Sequence, residues 1–243
     1  MAPPPALDLG HYTPAELRAA GVGGIGFLQP LLARPVGEDG GEEEREAAEG
    51  LVRRGLLAQA DPPGQALGAL AATLDAIAAA WAFTACTAGA GPGGPERLLF
   101  GRLGETDLVL DLLPEVADEA AGYTARLLSI TGAIEEVAAS LDLGDGDGDA
   151  AAATVEGTPG WPRIETAVAG APVERRIEAA SIGRPQGPLL QQRLQLVSAD
   201  GATWMVLGAR RGPEAAWRSA APAGPRRARS AIRAMLAGDP VRL

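Results

Sequence analysis

Residues 189–211 read LLQQRLQLVSADGATWMVLGARR, and this stretch decides the fold class. Leu194 and Leu196 alternate with Arg193 and Gln195, the period-two pattern of a half-buried strand. Asp200-Gly201 follows, a pair that tolerates the left-handed conformation a type I′ hairpin turn requires. Trp204 and Val206 resume the pattern on the return strand. EAAWRSA, residues 214–220, offers a third strand. AGPRRARSAIRAMLAG, residues 223–238, then switches to helical spacing, with Ile232, Met235 and Leu236 on one face. Arg226, Arg227, Arg229 and Arg233 fall on the other. Antiparallel strands closed by a helix are therefore expected.

The same order occurs upstream. RLLFGRL (97–103) and DLVLDLL (107–113) flank the turn GET and read as a hairpin. A helix is expected from Pro114 to about Ser140, with Glu115, Asp118 and Glu119 in its favourable first turn. Its stripe is Val116, Ala120, Tyr123, Leu127, Ile130, Ile134 and Val137; Gly122 and Gly132 each weaken it by about 1 kcal/mol relative to Ala. Each half thus offers a hairpin followed by a helix, which points to an internal duplication and an α+β fold class. Earlier still, Leu67, Leu70, Leu74, Ile77 and Trp81 recur at three and four, predicting a helix that also carries Cys86 as a small core residue. Glu42–Leu57 is expected as a helix with Arg53 and Arg54 in its last turn and Gly55 at its exit. Its acidic run, Glu42 to Glu44, reads as a solvated cluster. Thr13, Pro14 and Glu16 match a capping box. MAPPPALDLG, residues 1–10, is expected to fray, with His11 beside it.

Composition narrows the function. The chain of 243 residues has a net charge of −10 and a single His and Cys, and all its basic residues are Arg. With its Ala, Gly and Pro excess, this reads as the codon bias of a GC-rich bacterial genome. Residues 1–150 carry a net −16 and residues 151–243 a net +6. Packing of the two halves accounts for that asymmetry more simply than nucleic acid, because no stacking aromatics accompany the Arg. One Cys cannot form an internal disulfide, which fits a reducing cytoplasm. No secretory signal is read at the start, and Leu67–Ala85 is too interrupted to span a membrane.

Three motifs invite chemistry and fail on context. GVGGIG, Gly21 to Gly26, has dinucleotide-type glycine spacing but follows a capped helix and precedes two prolines, so it reads as a loop. One His and one Cys cannot build a zinc site. DLGDGDGDAAAATVE, residues 142–156, places Asp145, Asp147, Asp149 and Glu156 at the first, third, fifth and twelfth positions of a calcium loop. Its sixth position is Ala150 rather than Gly, and EGTPGWP follows where an exiting helix is needed. We read it as an acidic linker at 141–160 between halves 1–140 and 161–243. No catalytic, metal or cofactor residue is expected.

Taken in order, EEEREAAEGLVRRGLL with the leucine helix after it, RLLFGRLGETDLVLDLLPEVADEAAGYTARLL, and the stretch from Leu194 to Gly238 resemble the EspG family. These are the cytosolic chaperones of type VII (ESX) secretion. The stretches cover about half of the chain. ADGATWMV keeps Asp200 and Gly201 but lacks the Arg-Tyr pair common in that family's terminal hairpin. The resemblance implies a central antiparallel sheet flanked by helical bundles, with pseudo-twofold halves. It also implies a non-enzymatic cytosolic role in holding a helical PE/PPE-like or related secretion substrate, with no cofactor, nucleic acid or membrane span. Arg226, Arg227, Arg229 and Arg233 are the candidate partner-binding face. The competing reading is a DNA-associated regulator, since EREAAEGLVRRGLL resembles the helix before a winged-helix hairpin; its acidity opposes that, because it would repel phosphate.

Overall fold

The computed structural model describes residues 6–22, 40–88, 96–104, 106–115, 122–141, 154–157, 160–170, 175–181, 190–199, 202–211 and 214–243. In chain order the elements are β1 (Leu7–Tyr12), α1 (Pro14–Ala19), α2 (Gly40–Arg53), α3 (Gly68–Ala79), β2 (Ala80–Ala88), β3 (Glu96–Leu103), β4 (Leu108–Glu115), β5 (Gly122–Ser129) and α4 (Ile130–Ser140). Then come β6 (Thr154–Val155), α5 (Trp161–Gly170), β7 (Arg175–Ser181), β8 (Leu190–Ala199), β9 (Ala202–Arg211), β10 (Glu214–Pro222) and α6 (Pro225–Ala237). The fold class is α+β.

The strand order is β1-β5-β4-β3-β2-β7-β8-β9-β10-β6. It reads the same from either end under one exchange of labels: β2 for β7, β3 for β8, β4 for β9, β5 for β10 and β1 for β6. The helices follow the exchange, α3 for α5 and α4 for α6, leaving α1 and α2 as additions to the first half. The order is therefore symmetric about the antiparallel β2–β7 pair, where Ala82 through Ala88 face Ser181 through Arg175.

Two compact units make up the chain, one of Leu7–Ala79 with Leu112–Leu127, the other of Ala80–Asp111 with Leu128–Leu243. In the larger unit, consecutive sheet residues point to opposite faces, and both faces are covered. Leu196 and Met205 join Cys86, Leu99 and Val109 beneath α4 and α6, whose Ile134, Val137, Ile232, Met235 and Leu236 complete that core. Val197 and Val206 face the other way, against Trp161 and Ile164 of α5. Close approach shapes both cores. A Cβ on Gly101 would lie 1.9 Å from the Leu236 carbonyl oxygen, so only glycine lets the end of α6 touch β3. The Trp217 ring likewise lies against Gly208, where a Cβ would come within 2.9 Å.

The helix ends follow their sequence signals. Thr13 and Glu16 form the capping box on α1. Past α2, Gly55 is left-handed at φ 71°, Leu56 N–H donates to Leu51 O and Gly55 N–H to Val52 O. Past α6, Gly238 repeats this at φ 72°, with Asp239 N–H on Ala234 O. Both are Schellman closures.

Several expectations are corrected. Leu7–Tyr12 does not fray; it is β1, and its Tyr12 pairs opposite Tyr123 of β5. The third helix stops at Ala79, so Trp81 and Cys86 lie on β2. Phe83, Thr84 and Cys86 gain partners on both sides there, from β3 and β7, and that pairing overrides the helical propensity of the alanines. The long helix from Pro114 is also wrong: β4 runs through Pro114 to Glu115, and Gly122–Ser129 is strand. Tyr123 and Leu127 misled because a spacing of four fits both a helix face and one side of a strand. Helix α4 starts only after Ser129, whose hydroxyl accepts from Gly132 N–H at 3.1 Å. A Cβ on Gly122 would crowd His11 Nε2 at 2.3 Å and Tyr12 O at 3.0 Å. Helix α5 follows the linker and was not expected. The Asp200-Gly201 turn, Val116, Ala120, the Gly23–Gly26 part of the glycine run and residues 142–153 lie outside the described residues.

Gly101→Ala is expected to destabilise the protein by about 2–4 kcal/mol, through forced separation of α6 from β3. Gly41→Ala, in open space in the first turn of α2, should change stability by no more than about 1 kcal/mol. Urea denaturation of the two variants checks both.

Candidate functional site

Helix α6 begins at Pro225 behind a Gly224 cap that supplies no side-chain hydrogen bond. Its buried stripe is Ala228, Ala231, Ile232, Met235 and Leu236, so the four candidate Arg fall outside the core as expected. They do not form one uniform face. Arg229 Nε and Nη2 reach the Glu135 carboxylate of α4 at 3.0 Å, a bidentate clamp between the two equivalent helices. That pair joins an Arg of the basic half to an acid of the acidic half, in line with mutual neutralisation. Arg227 is half-buried, and its Nη1 is enclosed without a hydrogen bond among the described residues. Arg226 and Arg233 are exposed. Seven residues apart, they stand on one side of the helix about 10 Å from each other.

Beside Arg233 is a cavity of about 250 Å³, lined by Thr106, Asp107, Leu108, Ile130, Ala237 and Asp239. Leu108 is one of the large apolar side chains most open to solvent. The end of α6, the start of α4 and the β3–β4 turn therefore meet at a small amphipathic hollow.

An ion cluster that the sequence reading missed lies under α4. Arg97 Nε and Nη2 bind Asp111 Oδ1 and Oδ2 at 2.7 and 2.8 Å, and Nη2 also binds Glu136 Oε2 at 2.5 Å. Asp111 is 0% exposed and Arg97 7%. Burial pulls the Arg97 pKa down, but the hydrogen bonds and charges of Asp111 and Glu136 outweigh it and hold the guanidinium above its ordinary value. Asp111 interrupts the apolar run LVLDLL, and Arg97 precedes LLF. A charge in each of two paired apolar strands was the available signal. The cluster holds β3, β4 and α4 together. Cys86 lies in the same core, as expected of a small buried residue, though on a strand. Burial pushes its thiol up to about 11, against smaller opposing effects of a Ser140 hydrogen bond and the Arg97 charge.

The smaller unit has its own network. Glu16 Oε1 accepts from Arg54 at 2.6 Å and Oε2 from Thr13 N–H at 3.0 Å. Arg54 also lies over the Tyr12 ring, 5.7 Å from its centre. The acids at the start of α2 are not simply solvated: Glu43 and Glu44 hold the buried Arg18 side chain at 2.6 and 3.2 Å. They border a cavity of about 570 Å³ that Arg18, Glu44, Arg45 and Asp61 line. His11 is fixed on β1, 3.4 Å from Glu115. Trp161 is buried, and Trp204 packs partly buried on the α5 core. Among the described residues, no three His, Cys, Asp or Glu converge as a metal site. Of the proposed calcium ligands only Glu156 is described, exposed in the turn after β6.

No family model and no curated protein matches the chain. Among solved structures it is similar to a chain in the structure of the Mycobacterium tuberculosis type VII secretion system chaperone EspG5 in complex with the PE25–PPE41 dimer. The identity is 14%, the match covers 95% of this chain and 96% of that one, and the TM-score is 0.49. No helix among the described residues is long and apolar enough to cross a membrane.

Two outcomes follow from the buried cluster. Asp111→Asn leaves Arg97 a buried cation without its main partner and should cost about 3–5 kcal/mol, whereas Glu136→Gln, on a half-exposed partner, should cost clearly less. Urea denaturation at neutral pH checks the ordering. The Cys86 thiol is harder to ionise folded than unfolded, so it stabilises the fold fully below about pH 9 and that contribution is lost as pH rises toward 11. Cys86→Ala should remove part of the alkaline fall in stability, measured as urea midpoints from pH 8 to 11.

Proposed function

We propose that this protein is a non-enzymatic cytosolic binding protein of the type VII secretion chaperone kind, holding a helical protein partner. The supporting observation is where the family-like stretches fall. EEEREAAEGLVRRGLL is α2 with its glycine exit. RLLFGRL and DLVLDLL are β3 and β4, and the stretch from Leu194 to Gly238 is β8, β9, β10 and α6. The last two occupy equivalent places in a duplicated sheet, each ending in a helix laid on one face.

Within that reading, the exposed Arg226 and Arg233 and the hollow beside Arg233 are the contact surface. A partner helix carrying carboxylates would be steered by the Arg pair, and one of its side chains would enter the hollow, a helix-in-groove contact. Arg229 serves the fold through Glu135 and is not part of the contact.

The DNA-associated reading is not supported. Between α2 and α3 lies only one isolated bridge, Leu57 with Ala66, and α2 carries Glu42, Glu43, Glu44, Glu46 and Glu49 against Arg45 within it and Arg53 and Arg54 at its end and exit. That charge repels phosphate.

Tagged protein returned to its native host should co-purify with a partner rich in helix by circular dichroism. Arg226→Glu with Arg233→Glu should reduce the recovered partner by about tenfold or more, equivalent to about 1.4 kcal/mol. Recovery of the tagged protein alone, or undiminished capture by the double variant, would overturn the proposal. So would clear binding of duplex DNA at physiological salt.

A further inference from the structure

The hollow beside Arg233 has two walls, and they are held by different means. One is the β3–β4 turn with the start of α4. It is bonded within itself: Ile130 N–H donates to Asp107 O at 2.8 Å and Thr106 Oγ1–H to Leu103 O at 2.7 Å. The other wall is the end of α6, which brings Arg233, Ala237 and Asp239. That end is tied to the sheet by a side chain 47 residues from Asp239 in the chain.

The side chain is Gln192 on β8, in the row of Leu194 and Leu196, which point into the core under α4 and α6. A polar amide at an apolar position of that row is only 8% exposed. Burial of an amide is costly unless its hydrogen bonds are made. Both ends of this one are bonded: Nε2 donates to Asp239 O at 2.9 Å, and Oε1 accepts from Val241 N–H at 2.7 Å. The two bonds straddle Pro240, which has no N–H to offer and disfavours continuation of the helix through Asp239. Asp239 is the link between helix and sheet. Its N–H donates to Ala234 O of α6 at 2.8 Å, while its carbonyl accepts from Gln192. Beyond it, Val241 is buried in the α4 and α6 core, and Leu243 packs against that core.

We propose that Gln192 is the positioning residue of the hollow: its amide latches residues 239–241 to β8 and so sets how far the α6 wall stands from the β3–β4 wall. The latch rests on these bonds alone, whereas the purpose of the hollow rests on the helical-partner reading. A contact surface needs its walls held to within about 0.5 Å, and a helix end is where fraying would otherwise begin.

Native-state hydrogen exchange on the whole protein compares wild type with Gln192→Met, which keeps the side-chain length and loses both bonds. The amides of Gly238, Asp239 and Val241 should quicken together by about tenfold or more, while those of residues 82–88 stay unchanged. Gly238 and Asp239 donate to α6 carbonyls rather than to Gln192, so they respond only if the latch holds the helix end. Acceleration of Val241 alone, or of none of the three, would overturn the proposal. Gln192→Glu covers the case in which the methionine loosens the whole fold. Its ionised carboxylate still accepts from Val241 N–H but meets Asp239 O without a donor; once protonated it regains an O–H. Burial favours that neutral form. Compared with wild type at each pH, the three amides should be fast near about pH 7.5 and return toward wild type near about pH 5. Exchange that ignores pH would overturn the latch. With a partner isolated from the native host, Gln192→Met should lower its recovery about tenfold. Loosened amides with undiminished recovery would overturn the positioning role. If charge reversal at Arg226 and Arg233 leaves capture intact while the amides respond, the chaperone reading falls and the latch stands.

Discussion

The antiparallel pairing of β2 with β7 is the constraint on which the rest depends. Without it, each half would end in a long strand with an unpaired row of backbone groups, and the Ala-rich β2 would have little to hold it extended. With it, Phe83 to Thr87 are bonded on both sides, by β3 and by β7. The seam also fixes where helices go. In the larger unit α4 and α6 share a face and a core, and the Arg229–Glu135 clamp ties the two equivalent helices. The later half therefore meets the acids of the earlier one, and part of the charge asymmetry is spent inside the fold.

Much of this architecture was legible in the sequence, and the misses have a common cause. Hairpins and caps are local devices, so Leu194 to Val206, Thr13 with Glu16, and Gly55 announced themselves. Strands β2 and β5 each take one neighbour from far away in the chain, β7 and β1, and their alanines and evenly spaced Tyr123 and Leu127 also satisfy a helix. Only the neighbours decide between the two periods. Strand β1 was hidden for the same reason. Its Leu7–Tyr12 run is short, and β5 opposite it was itself misread.

The candidate surface was legible only as a set. Helical spacing put Arg226, Arg227, Arg229 and Arg233 outside the core, but spacing cannot tell which Arg has an acid waiting on a neighbouring helix. Arg229 has one, and Arg226 and Arg233 stand free of the core on one side. The Arg97–Asp111–Glu136 cluster shows the converse. Two charges in apolar strands were visible, yet their meeting depends on β3–β4 pairing and on α4 lying above it. Once formed, the cluster fixes that register more strictly than apolar packing would, since a one-residue slip would leave a buried charge alone.

The contact surface proposed on α6 presupposes this sheet and the helices laid on it. That account rests on the β2–β7 seam being the middle of the molecule's most stable structure. Native-state hydrogen exchange tests it most directly. Amides of residues 82–88 and 175–181 should be among the slowest, exchanging only with global unfolding, while those of β1 and β6 exchange faster. Seam amides exchanging as fast as those of β1 and β6 would contradict it.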